Sequence, residues 1–133
     1  MDFRLALFFS VCLLVFWGCE KVSPDIVNFE LDFTWGTVPG ENRKNPEIKL
    51  HGVPTGTTKL QVQLVDLDVS FADHGLEETI NYTNDNVIPP GALSNYIGPS
   101  PPPGGHLYEF TVKALDKNGV VIGIGKKAKR CCP

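Results

Sequence analysis

What the chain lacks narrows it before any motif does. After residue 19, no stretch of ten or more residues repeats its apolar positions at helical spacing, which excludes a helical bundle and an alternating α/β fold. Charge of one sign is not in excess. Lys and Arg number 12 against 15 Asp and Glu, the net charge is −3, and no basic patch is present, so nucleic acid is excluded as the expected partner. Cysteine is scarce, with four in 133 residues at positions 12, 19, 131 and 132, and these make no disulfide framework. No apolar run reaches the roughly 20 residues that a membrane-spanning helix needs. No serine or cysteine stands in the strand-turn-helix context of a nucleophile elbow.

What is present begins with residues 5–17, apolar apart from Ser10 and preceded by Arg4. That run has the length and flanks of a secretory signal. It ends at Gly18-Cys19, the pair at which bacterial lipoprotein signals are cut and the cysteine acylated. The expectation is a signal over residues 1–19 and a single domain over residues 20–133. Lipidated Cys19 would anchor that domain to a bacterial membrane, on the periplasmic or cell-surface side. Two or more acyl chains are enough for stable anchoring. A signal cut elsewhere, or kept as an uncleaved anchor, is the alternative. Removing Asp2 and Arg4 with the signal leaves the net charge at −3.

The remaining chain reads as short strands separated by Gly- and Pro-rich connections. Ser23-Pro24-Asp25 is expected as a tether. Val27, Phe29, Leu31, Phe33 and Trp35 alternate with polar residues at a period of two, the mark of a half-buried strand. Residues 47–51, 59–66 and 76–82 read as further strands, the last unusually polar, and residues 36–45 and 84–95 as loops. Residues 106–115 alternate, with His106, Tyr108, Phe110, Val112 and Ala114 on one face. A turn at Lys117-Asn118-Gly119 then predicts an antiparallel hairpin with a strand over residues 120–124. The expected fold is an all-β, antiparallel β-sandwich.

Two segments carry chemistry. Gly98-Pro99-Ser100-Pro101-Pro102-Pro103-Gly104-Gly105 cannot be helix or ladder strand, because proline fixes φ and donates no hydrogen bond. This rigid loop delivers His106 and Tyr108 to the mouth of a strand. Asp66-Leu67-Asp68 closes an earlier strand with two carboxylates on one face, and His74 follows in a short loop. A plain turn is the simpler explanation of Asp-x-Asp alone, and an inert ring that of a lone histidine.

The segments Asn45-Pro46-Glu47-Ile48, Gly52-Val53-Pro54, Gly56-Thr57 and Val65-Asp66-Leu67-Asp68 resemble the phosphatidylethanolamine-binding protein family, whose bacterial members are often described as Raf-kinase-inhibitor-like. Gly98-Pro99, Pro101-Pro102, Gly105-His106, Tyr108, Phe110 and Ala114-Leu115-Asp116 resemble its second motif block. The likeness covers residues 45–116. It implies a β-sandwich and a small anion-accepting pocket lined by Asp66, His74, His106 and Tyr108, with Asp68 beside them. Gly98, Pro99 and Pro101 would form a wall. Leu67 stands where the family has proline, Gly75 where it has tryptophan, and the family's C-terminal helix has no counterpart.

The expected function is therefore non-enzymatic binding of a small anion, a lipid headgroup or a phosphorylated group, without a cofactor or a bound metal. Three other readings use the same residues. Two carboxylates and two imidazoles suit a divalent cation. Asp66 and His106 suit acid-base hydrolysis with water as nucleophile. A degenerate pocket on an interaction domain needs neither. Cys131 and Cys132, behind the basic run Lys126-Lys127-Ala128-Lys129-Arg130, are expected to form a tail without a role. Asn81-Tyr82-Thr83 matches a glycosylation sequon, which the Gly18-Cys19 junction makes irrelevant.

Overall fold

Alternation of apolar and polar residues dictates the central strands. The computed structural model describes residues 19–37, 40–69, 74–75 and 77–132, so all of the signal expected over residues 1–19 except Cys19 lies outside the described residues. Seven strands are present: β1 (Val22–Phe33), β2 (Ile48–His51), β3 (Lys59–Asp66), β4 (Glu78–Asn81), β5 (Val87–Ile88), β6 (His106–Leu115) and β7 (Val121–Cys131). The described residues contain no α-helix, only a single 3-10 turn at Glu41–Arg43. The all-β expectation holds.

The strands form one curled, mixed sheet in the order β4-β3-β6-β7-β1-β2-β5. β6 is central and pairs antiparallel with both β3 and β7. The Asn-Gly turn closes the β6–β7 hairpin as expected, with Asp116 Oδ1 accepting from the backbone N–H groups of Asn118 and Val120. The pairing is not antiparallel throughout, because β1 runs parallel to β7 through Val27, Asn28 and Phe29. Period-two alternation sets which face a residue occupies but carries no information on strand direction.

β1 is the joint of the fold. Its first half lies beside β7, while Leu31 and Phe33 pair with Leu50 and Ile48 of β2. The sheet curls at this joint, so that the Phe33 ring meets Phe110 edge-on at 5.0 Å although β7 lies between their strands in the order. A strand that passes from one part of a sheet to another is how β folds turn corners. Gly125 makes the close approach possible, since a Cβ there would lie 2.7 Å from the Phe29 ring. Phe29, Leu31, Phe33, Leu50, Leu60, Val62, Phe110 and Val112 form the centre of the core.

Several boundaries differ from expectation. Ser23-Pro24-Asp25 belongs to β1, and residues 87–88 form an edge strand inside the expected loop. β7 extends through the basic run to Cys131, so that run is strand. Lys129 Nζ donates to Asp32 Oδ1 at 2.8 Å and to the Phe33 carbonyl, Lys126 pairs with Glu109, and Arg130 Nη1 donates to the Gly105 carbonyl at 2.9 Å. Cys131 is fully buried in the core cluster, so the end of β7 packs as core and not as the expected tail without a role.

Candidate functional site

The β3–β6 register assembles the site. Asp66, the last residue of β3, lies opposite Tyr108, and His106 is two residues earlier on the same face of β6. Residues opposite or diagonal across an antiparallel pair are within side-chain reach. His106 Nδ1 lies 2.7 Å from Asp66 Oδ2, and Asp66 Oδ1 accepts from the backbone N–H groups of Asp68 (2.8 Å) and Val69 (3.0 Å). Asp66 is therefore buried with both oxygens engaged. Burial opposes its ionisation, yet the His106 hydrogen bond and the two backbone donors hold its carboxyl below the usual aspartate range.

Asp68 does not share that burial. The chain bends after β3, and Asp68 is exposed, its Oδ2 accepting from the Leu107 N–H at 2.7 Å. With Leu67 N–H donating to the Leu107 carbonyl at 2.8 Å, it continues the strand pairing past the end of β3. The expectation that both carboxylates face one pocket becomes one buried acid and one at the rim.

His74 is also buried, its ring edge-on to Tyr108 at 5.0 Å. Its Nδ1 lies 3.3 Å from the Gly98 carbonyl, which can only accept, so Nδ1 carries the hydrogen. Its Nε2 then faces Asp66 Oδ2 at 3.8 Å, buried and without a hydrogen-bond partner among the described residues. The rigid loop wraps this histidine, with Ile97 N–H donating to the His74 carbonyl at 3.0 Å. Tyr108 is buried as well. Burial and then the Asp66 charge push its hydroxyl up to about 12, against the opposing pull of the Ser100 N–H, so it remains a neutral donor at physiological pH.

The structure thus brings Asp66, His74, His106 and Tyr108 together, with Asp68 beside them and Gly98 against His74. Pro99 helps line a cleft of about 1010 Å³ that none of those five residues lines. That cleft was not anticipated. It lies between residues 35–37 and 40–43, residues 96–100 and the end of β7, and no periodic pattern marks its Asn42, Arg43 and Arg130. Two further residues matter for position. Glu78, in the polar strand β4, takes Ser94 N–H, Ser94 Oγ and Asn95 N–H on its carboxylate and so holds the start of the proline loop. Gly75, where the resemblance has tryptophan, has φ +101°, and a Cβ there would lie 2.1 Å from the Asn95 carbonyl oxygen. The loop crosses directly over it, so no side chain fits.

The ligand atoms of Asp66, Asp68 and His106 also lie within 4.8 Å of one another, close enough for a divalent cation. No protein-family model and no curated protein matches this chain.

Proposed function

We propose that the chain is an exported, Cys19-anchored binding protein that takes a small oxyanion, phosphate or a phosphorylated headgroup, at His106 and His74, without catalysis. The observation that carries this reading is the buried Asp66 carboxylate shared by two imidazoles. Asp66 is held by His106 at 2.7 Å and approached by the unpartnered His74 Nε2 at 3.8 Å. When protonated, the two imidazoles balance Asp66 and Asp68, and the second nitrogen of His106, on a side chain 18% exposed, becomes a donor. The neutral Tyr108 hydroxyl adds to the donor set. The likeness of residues 45–116 to phosphatidylethanolamine-binding proteins supports the same ligand class.

Calorimetry with inorganic phosphate should show saturable binding. It should be lost in His106→Ala. Binding that is unchanged in that variant would remove the basis of the proposal. The cation reading rests on the carboxylate–imidazole spacing alone, and it requires displacing hydrogen bonds that already occupy both Asp66 oxygens. Stoichiometric metal in protein purified without chelator would favour it instead. For the anchor, mass spectrometry of the membrane-extracted protein should find acyl chains on an N-terminal Cys19, and an unmodified N-terminus beyond residue 19 would contradict it.

A further inference from the structure

We propose that the cleft of about 1010 Å³ is a second, separate binding site for an amphiphilic anion, a flat apolar body carrying one acidic head. Its volume is at the upper end for sites that enclose a small organic molecule. Two of its walls are aromatic rings supported from behind. Trp35 packs edge-on against Phe33 at 4.9 Å, and Tyr96 stacks on Phe110 at 6.3 Å. Ile97 and Pro99 extend the apolar surface, and Ile97 is 52% exposed. Flat walls of this kind accept a planar apolar body.

The charge of the cleft selects the head group. Arg43 and Arg130 both line it, and neither forms an ion pair among the described residues. In a chain of net charge −3, two guanidinium groups that form no ion pair among the described residues line one cleft, with the Glu41 carboxylate turned to the Thr37 N–H at its edge. Arg130 is oriented by the Gly105 carbonyl at 2.9 Å, leaving its other N–H groups available. Guanidinium groups bind carboxylate, sulfonate or phosphate oxygens in pairs of hydrogen bonds.

The cleft is also held open by structure. Asn42 accepts from Gly36 N–H at 2.7 Å, returns a bond to the Gly36 carbonyl, and rests its amide on the sulfurs of Cys131 and Cys132 at 3.6 and 3.5 Å. Gly98 touches the Asn42 carbonyl so closely that a Cβ would lie 1.9 Å from its oxygen. The two loops and the end of β7 are thereby fixed relative to one another before any ligand arrives, which lowers the ordering cost of binding.

The probe is 8-anilinonaphthalene-1-sulfonate, a flat naphthalene with a twisted anilino ring and one sulfonate, titrated into the folded protein while its fluorescence and the quenching of tryptophan are followed. One saturable site is expected. Arg43→Gln with Arg130→Gln should weaken it about tenfold or more, since hydrogen bonds to charged groups are worth roughly 1.5–3 kcal/mol. The double Lys variant should recover part of the loss. A neutral carboxamide-bearing naphthalene should bind as weakly to wild type as the sulfonate binds to the Gln variant. Saturating inorganic phosphate should leave the probe in place, and the Gln variant should keep any phosphate binding at His106, so the two sites fail or stand independently. No saturable binding, or affinity unchanged in the Gln variant with its melting transition intact, would overturn the proposal.

Discussion

Single residues decide how the candidate site is charged. Asp66 is a buried acid kept ionised by three donors, whereas Tyr108, in the same cluster, is kept neutral by burial and by that acid. Their opposite responses follow from one rule: burial disfavours charge unless hydrogen bonds to the charged form outweigh it. Tyr96 shows the rule without compensation, since its hydroxyl is buried with no partner among the described residues and its pKa is raised by burial. Tyr96→Phe should therefore stabilise the fold by about 1 kcal/mol in urea unfolding. A loss of similar size would show that the hydroxyl has a partner in solution. Asn45 is the converse case. Its amide donates to the Pro46 and Pro89 carbonyls, its carbonyl accepts from Leu93 N–H at 2.9 Å, and the residue is fully enclosed. Asn45→Ala should cost roughly 3 kcal/mol, because several buried groups lose partners at once. A cost below about 1 kcal/mol would show that those loops are held elsewhere.

At the scale of elements, the alternating strands were the legible part. β3 and β6 both match the residues expected for them. Their faces were also correct, because a half-buried strand must place Leu60, Val62 and Leu64, or Tyr108, Phe110 and Val112, on one side. That Asp66 and His106 belong to one cluster was implied by the resemblance and not by alternation, which does not say which strands pair. The parallel placement of β1 was not legible, since strand direction is set by contacts distant in sequence. β7 was read too short because Lys126 to Arg130 look like a solvated tail, and their carboxylate partners, Glu109 and Asp32, lie on other strands. The function of Glu78 was hidden likewise. A polar residue in a strand reads as weakness until the Ser94 and Asn95 donors it accepts from are seen.

For the whole molecule, two of the depressed carboxylates, those with hydrogen bonds to backbone donors in loops, couple folding to acid. Asp66 and Glu78 titrate below their ordinary values of 3.8 and 4.5 in the folded protein. Burial opposes ionisation in both. His106 with two backbone donors outweighs it at Asp66, and the Asn95 and Ser94 donors outweigh it at Glu78. A folded-state pKa below the unfolded one means that the unfolded chain binds more protons over that interval. The stabilisation is therefore complete above the ordinary values and is lost as pH falls through the lower folded ones. Unfolding free energy measured by urea should decline below about pH 5. Glu78→Gln should flatten that decline while lowering stability at neutral pH, and an unaltered acid slope would contradict the assignment. The segment Gly98 to Ser100 lies between the two regions, since it lines the arginine-bearing cleft while the Gly98 carbonyl contacts His74.

The central claim, that Asp66 orients His106 to receive an oxyanion, is tested most directly by following the imidazole nitrogens of His74 and His106 by NMR during a phosphate titration. The account predicts saturable shifts at the second nitrogen of His106 and at His74 Nε2, with His106 Nδ1 remaining protonated against Asp66 and His51 unaffected. Shifts that are absent, or equal at all three histidines, would contradict it.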